Sequence, residues 1–101
     1  QPHRYSRLVR ENGRFALSLR DASEVCVYKL YEAYEKGQYA IDETEVLKGL
    51  SSYGVPAVHA VNYNEILDWL ERKRDAVVLF LGAGDITEAS KLSALKLCAT
   101  H

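Results

Sequence analysis

The sequence contains no methionine and has only two cysteines, two prolines and one tryptophan among its 101 residues. The two cysteines, Cys26 and Cys98, are too few for the disulfide framework of a small secreted domain, and we interpret both as buried free thiols. No apolar run approaches the roughly 18 residues of a membrane-spanning helix, and no signal segment opens the chain. We therefore expect a soluble, cytoplasmic protein without a membrane partner.

The chain also lacks a strong net charge, since 13 basic and 14 acidic side chains leave −1 at pH 7. A dedicated nucleic-acid-binding protein would normally carry a basic face, so no nucleic-acid partner is expected. With 48% hydrophobic and 27% charged residues, the composition is typical of one globular domain with a modest core. The sequence contains no Ser–His–Asp set, Cys–His pair or complete metal-ligand set. We therefore expect neither a catalytic group nor a metal site in this chain.

Three stretches have the length and composition of β-strands. Residues 23–31 (SEVCVYKLY) and 75–82 (DAVVLFLG) are short, rich in apolar and β-branched residues and bounded by breakers, whereas residues 56–61 (PAVHAV) are a weaker candidate. Residues 76–81 are apolar without alternation, which predicts a central parallel strand covered by helices on both faces.

Apolar residues recur at helical spacing between these strands. The alternation predicts an α/β fold, namely a three-layer, Rossmann-like domain with a mostly parallel sheet. Because no methionine precedes residues 1–7 (QPHRYSR), we expect an N-terminally truncated domain whose first residues are the remnant of a strand. The helical patterns cover residues 8–19, 46–50 and 66–70 and a last segment from residue 87 onward.

Several residues predict how these helices begin and which side chains they bury. Asp42 with Glu45 three residues later has the spacing of a capping box, and Asn64 is a candidate cap for the following helix. In the last helix, Ala89 and Leu92 are expected to face the core.

Polar clusters follow the predicted strands at residues 3–7, 31–37 and 82–85, and ligands of parallel sheets bind beyond the carboxyl ends of the strands. Arg4 and Arg7 are spaced to share a helical face, and paired guanidiniums suit a carboxylate or phosphate. The turn at Gly82, Gly84 and Asp85 either offers main-chain N–H groups to an anion or only joins a strand to a helix. The residues alone thus allow a free-standing module that binds a nucleotide or small anion, or a protein-interaction domain.

Two motifs in register resemble the Mur ligases, the ATP-dependent enzymes of peptidoglycan precursor synthesis. "QPHRYSR" is similar to that family's "FQPHRYTR" segment, and "FLGAGDI" is similar to its "GAGDI" turn. The resemblance covers residues 1–101 and implies the C-terminal, amino-acid-binding domain of the member that joins L-alanine to UDP-N-acetylmuramate. Lys29 departs from the family pattern, which usually has an acid there.

The resemblance also implies roles for individual residues. His3, Arg4 and Arg7 would face the substrate cleft and hold the alanine carboxylate or offset charge on a transferring phosphoryl group. Tyr31 would line the cleft, and the Gly82–Asp85 turn would order its wall.

The same resemblance implies that important parts of the enzyme lie outside this chain. ATP and Mg²⁺ would be bound mainly by a central domain that carries the phosphate loop and a catalytic lysine, so the chain by itself is expected to be inactive. Its partners would be the N-terminal and central domains of the same enzyme. A sheet edge exposed by truncation would also favour self-association.

Overall fold

In the computed structural model, helices and strands alternate up to the third helix, which a fourth helix follows, along the part of the chain that the structure describes. That part comprises residues 1–2, 10, 13–30, 42–73, 75–82 and 84–100, with side chains described up to residue 95. The elements in chain order are α1 (Arg14–Ser18), β1 (Val25–Tyr28), α2 (Thr44–Ser52), β2 (Ala57–Ala60), α3 (Tyr63–Glu71) and α4 (Ile86–Thr100).

The two strands pair in parallel, with Val25 opposite Ala57 and Tyr28 opposite Ala60. A parallel pair needs a crossover, and α2 lies between the two strands in the sequence. The predicted strands at residues 23–31 and 56–61 are thus confirmed, as is a small α/β architecture. The wider three-layer, Rossmann-like sheet remains a prediction, because the described residues form a sheet of two strands.

The apolar core consists of two clusters that share β1. Val27 belongs to the first and Tyr28 to the second, as expected for neighbours that face opposite sides of a sheet. The first cluster contains Ala16, Val27, Leu30, Val46, Leu50 and Val55, and the second contains Tyr28, Ala60, Ile66, Leu70, Ile86 and Ala89.

Helices α1 and α2 pack closely against each other in the first cluster. A Cβ added to Gly49 would lie 2.5 Å from the Cβ of Ala16. Only glycine therefore allows the two helices to approach this closely. Leu50, the next residue of α2, is completely buried beside this contact.

The prediction of a buried central strand at residues 75–82 is wrong for this structure. No strand is assigned there, and the side chains of Val77 and Leu79 are 91% and 75% exposed. A strand requires hydrogen bonds to a neighbour, but among the described residues the only main-chain hydrogen bond of this stretch is accepted by the Leu81 carbonyl.

The predicted helix caps also differ from the observed ones. Asp42 accepts hydrogen bonds from the main-chain N–H and hydroxyl of Thr44, so it forms a local turn rather than the predicted capping box with Glu45. Asn62, not Asn64, caps α3 by accepting the Glu65 N–H at 3.0 Å. The Glu65 carboxylate in turn accepts the Val61 N–H. A related pair of side-chain bonds, in which the glutamate reaches one residue further back than in a capping box, therefore stabilises the start of α3.

In α4, Ala89 is buried as predicted, but Leu92 is exposed. The neighbouring Ser93 is buried in its place and donates its hydroxyl hydrogen to the Ala89 carbonyl at 2.6 Å, which satisfies the buried hydroxyl. Cys26 is only partly buried, which differs from the predicted interior thiol, and burial raises the pKa of its thiol. None of the helices in the described part of the chain combines the length and the apolar composition that a membrane span requires.

Candidate functional site

The candidate site lies where the first residue of the chain meets the turn before α4. The main-chain nitrogen of Gln1 donates to the Leu81 carbonyl at 2.7 Å. The Gln1 side-chain amide donates to the Lys29 carbonyl at 3.0 Å and also to the Asp85 carboxylate. Gln1 thereby joins three segments that are far apart in the sequence.

The side chain of Gln1 also receives a hydrogen bond from the start of α4. Its amide oxygen accepts the Ile86 N–H at 3.1 Å. The next two donors are used locally, since Thr87 N–H donates to the Gly84 carbonyl and Glu88 N–H donates to the Asp85 carbonyl. These three amides at the helix start are therefore bonded within the protein and do not provide an open anion site.

Asp85 carries the negative charge of this turn. Its carboxylate lies 3.8 Å from the Lys29 ammonium, and both side chains are partly exposed, so the pair contributes little to stability. The Asp85 carbonyl accepts the phenol hydrogen of Tyr63 at 3.1 Å. The turn is thus held by α3 and by Lys29, just after β1, and its carboxylate disfavours an anion beside it.

Gly82 allows Gln1 to approach this turn closely. Its φ of +152° lies in a region that residues with a Cβ rarely adopt. A Cβ at this position would lie 2.9 Å from both the Gln1 carbonyl oxygen and the Ile86 Cγ2 atom. Any larger residue would push Gln1 away from the start of α4.

Two tyrosines lie against the inner side of the turn. The rings of Tyr28 and Tyr63 stack with their centroids 6.0 Å apart. Burial, and then the negative charge of Asp85 and the neighbouring Tyr63, raises the pKa of Tyr28 to about 12. Burial, followed by Asp85 and Glu88, raises the pKa of Tyr63. Both phenols therefore stay neutral at physiological pH and can act as hydrogen-bond donors.

The structure places only part of the predicted site. Gly82, Gly84 and Asp85 form the turn that contacts Gln1, the first residue of the "QPHRYSR" segment. The other predicted site residues, His3, Arg4, Arg7 and Tyr31, lie outside the described residues.

Three polar side chains that contact the turn were not predicted from the sequence: Gln1, Tyr63 and Lys29. Lys29 was noted only as a departure from a family pattern. Gln1 was identifiable in principle, because it belongs to the first of the two motifs and precedes a basic cluster. Tyr63 follows a polar capping residue at the start of a helix, a position that gives no sign of a partner 22 residues away.

The described residues do not contain a group of three or more His, Cys, Asp or Glu side chains arranged to hold a metal ion. Asp85, the carboxylate at the turn, is already bonded to Gln1 and lies beside Lys29. Asp85 is therefore not free to act as the centre of a metal site in this part of the chain.

The chain is similar in sequence to UDP-N-acetylmuramate–L-alanine ligases from several bacteria. It is 38% identical over 91 residues to the enzyme of Pseudothermotoga lettingae and 40% identical over 91 residues to that of Thermotoga maritima. It is 37% identical over 90 residues to the enzyme of Paramagnetospirillum magneticum. These alignments cover 86–90% of this chain but only 19–20% of the relatives, so the chain spans about a fifth of their length. No protein-family model matches the chain.

Proposed function

Because the chain belongs to the Mur ligase family, as the similarity over nine-tenths of its length establishes, we propose that it is the amino-acid-binding C-terminal domain of a UDP-N-acetylmuramate–L-alanine ligase. In this proposal residues 1–101 contribute one wall of a cleft that is closed by the N-terminal and central domains of the same protein. The full-length enzyme would join L-alanine to UDP-N-acetylmuramate in peptidoglycan precursor synthesis, in the cytoplasm. The chain alone would be inactive.

The observation that carries this proposal is the hydrogen-bonded contact between Gln1 and the turn at Gly82 and Asp85. The two motifs that resemble the family lie near opposite ends of the chain, yet Gln1 bonds to Leu81, Asp85 and Ile86, which are 80 to 85 residues away. Covalent geometry alone keeps the Cα atom of Arg4 within about 11 Å of that of Gln1. This short covalent distance supports the proposal that the basic residues after Gln1 act near the turn.

We assign the cleft-facing roles to the basic segment and not to the turn. His3, Arg4 and Arg7 would bind the L-alanine carboxylate or offset negative charge on the phosphoryl group that activates the muramoyl carboxylate. Tyr31 would line the cleft one residue after the buried Leu30. Three amides at the start of α4 are already bonded within the protein, so the turn itself would not bind the substrate. Its role would instead be to fix the position of the basic segment through Gln1.

ATP and Mg²⁺ are proposed as cofactors of the full-length enzyme, held mainly by its central domain. When bound, they supply the phosphoryl group and the electrostatic stabilisation needed to activate a carboxylate. The residues of this chain would orient the amino acid and exclude water from the activated carboxylate.

The alternative of a free-standing anion-binding module has less support. Such a module would use the N–H groups after Gly82, but Ile86 donates to Gln1 and Thr87 donates to Gly84. A titration of the protein with inorganic phosphate tests this alternative directly. Tight binding that depends on the turn would favour the module over the ligase domain.

The proposed function is tested by steady-state ligation assays of the full-length enzyme with Arg4→Ala, Arg4→Lys and the exposed control Arg20→Ala. Loss of a guanidinium that binds the L-alanine carboxylate should raise the KM for L-alanine by at least about tenfold. Loss of one that offsets phosphoryl charge should instead lower kcat by about a hundredfold. Arg4→Lys should restore the activity only partly, because a lysine ammonium cannot form the two parallel hydrogen bonds that a guanidinium makes to a carboxylate or phosphate. Wild-type kinetics in Arg4→Ala would contradict the proposal.

A further inference from the structure

Lys29 and Asp85 carry opposite charges at the carboxyl end of β1. The main chain of Lys29 is fixed there, because its N–H donates to the Ala60 carbonyl and its own carbonyl accepts the Gln1 side-chain amide, each at 3.0 Å. The Lys29 ammonium lies 3.8 Å from Oδ2 of Asp85 and 5.6 Å from the centre of the Tyr28 ring. The strand end, the ring and the carboxylate together hold this cation beside the turn.

The two oxygens of the Asp85 carboxylate have different partners. Oδ1 accepts a hydrogen bond from the Gln1 amide, whereas Oδ2 faces the Lys29 ammonium. Of these two contacts, only the ammonium is charged, so Lys29 supplies the charge that offsets the carboxylate. The side chains of Lys29 and Asp85 are 48% and 35% exposed, and both charges therefore act on the solvent in front of the turn.

The charges at the start of α4 are balanced pair by pair. Glu88, the next acidic residue along the chain, lies 3.8 Å from the Lys91 ammonium, the same separation as in the Lys29–Asp85 pair. The stacked tyrosines beside the turn add no charge, because their raised pKa values keep both phenols neutral. Among the described residues, removal of Lys29 would thus leave the negative charge of Asp85 uncompensated.

We propose that Lys29 sets the electrostatic potential at this edge of the sheet and thereby favours binding of the substrate's anionic end, the L-alanine carboxylate. This role rests on the proposed function, in which the amino acid binds beyond the carboxyl ends of the strands. An uncompensated Asp85 would repel an incoming carboxylate and compete with it for the guanidiniums of the basic segment. Lys29 is a specificity-determining residue that acts through Asp85, and its departure from the family pattern makes this charge balance a property of this chain.

Steady-state ligation by the full-length enzyme tests this role with Lys29→Met, which keeps an unbranched side chain and removes the charge. The variant should remain folded, since an exposed ion pair stabilises a protein little. Its KM for L-alanine should rise about three- to tenfold at low salt, with kcat little changed. At about 1 M salt, where the screening length is about 3 Å, the rise should shrink below about twofold. Lys29→Arg should keep the wild-type KM, as should the control Lys48→Met, which removes an exposed charge from α2.

A second substitution tests whether Lys29 acts through Asp85. Asp85→Asn removes the negative charge but keeps an oxygen that can accept the hydrogen bond from Gln1. The double variant Lys29→Met/Asp85→Asn is again balanced, so its KM for L-alanine should return to within about twofold of wild type. A double variant as impaired as Lys29→Met, or a wild-type KM in Lys29→Met alone, would overturn the proposal.

A measurement that needs no ligation separates this proposal from the proposed function. The relaxation that an anionic nitroxide causes at the Gly84 and Asp85 amide protons, divided by that of a cationic nitroxide of the same size, reports the local potential by NMR. Lys29→Met should lower this ratio at least about twofold, and Lys48→Met should not change it. An unchanged ratio in Lys29→Met would overturn the proposal. A lowered ratio in a protein whose wild type does not ligate L-alanine would instead overturn the proposed function, and with it the choice of the L-alanine carboxylate as the anion.

Discussion

Replacing Gln1 with alanine should loosen the start of α4 in the full-length protein. The substitution removes three side-chain hydrogen bonds, to the Lys29 carbonyl, the Asp85 carboxylate and the Ile86 N–H. It keeps the main-chain bond to Leu81. The change is therefore confined to the side chain that joins the two motifs.

Each hydrogen bond contributes about 1 kcal/mol net, so the three together are worth about 2–4 kcal/mol. Hydrogen exchange measured by mass spectrometry should accelerate in the peptide that contains Ile86 by roughly 30- to 700-fold, since about 1.4 kcal/mol corresponds to a factor of ten. The control Lys48→Ala breaks only an exposed pair with Glu45 and should change the free energy of opening by less than about 0.5 kcal/mol. Unchanged exchange at Ile86 in Gln1→Ala would refute this account of the turn.

Two further predictions concern the core and the tyrosines. Gly49→Ala should destabilise the full-length protein by about 1–3 kcal/mol in thermal or denaturant unfolding, because the new methyl group meets Ala16. The double variant Gly49→Ala/Ala16→Gly should recover much of this loss of stability. Equal destabilisation of the single and the double variant would argue against the contact. The phenol of Tyr28, with a pKa of about 12, should ionise at a higher pH than an ordinary tyrosine, whose pKa is about 10. Folding then keeps Tyr28 protonated while the unfolded chain ionises, so stability is unaffected below about pH 10 and falls between about pH 10 and 12. The difference in phenolate absorbance between wild type and Tyr28→Phe, followed against pH, measures the ionisation of Tyr28. A transition near pH 10 would contradict the raised pKa.

The parts of the fold that depend on local pattern were predictable from sequence. β1 and β2 lie inside the predicted stretches, because short β-branched runs between breakers favour strands. The helices follow from apolar residues at helical spacing, and Ala89 is buried as expected. Caps were less predictable, since Asn62 and Asn64 are both plausible and only the path of the chain selects one.

The segment at residues 75–82 could not be predicted, because a strand is defined by its partners. Its apolar sequence fits a buried strand, yet Val77 and Leu79 are exposed and without main-chain partners among the described residues. The bonds of Gln1 were equally hidden, since a contact across 80 residues or more has no periodic signature. The two motifs together predicted the family, but not the side chain that joins them.

The central claim is that Gln1 positions the basic segment for ligation, and a functional double-mutant cycle in the full-length enzyme tests it most directly. The value of kcat/KM for L-alanine is measured in wild type, Gln1→Ala, Arg4→Ala and the double variant. Each single variant should lose activity, and the double variant should be no slower than Arg4→Ala alone, which corresponds to a coupling energy above about 1 kcal/mol. Two losses that simply multiply, or wild-type ligation by Arg4→Ala, would contradict the claim.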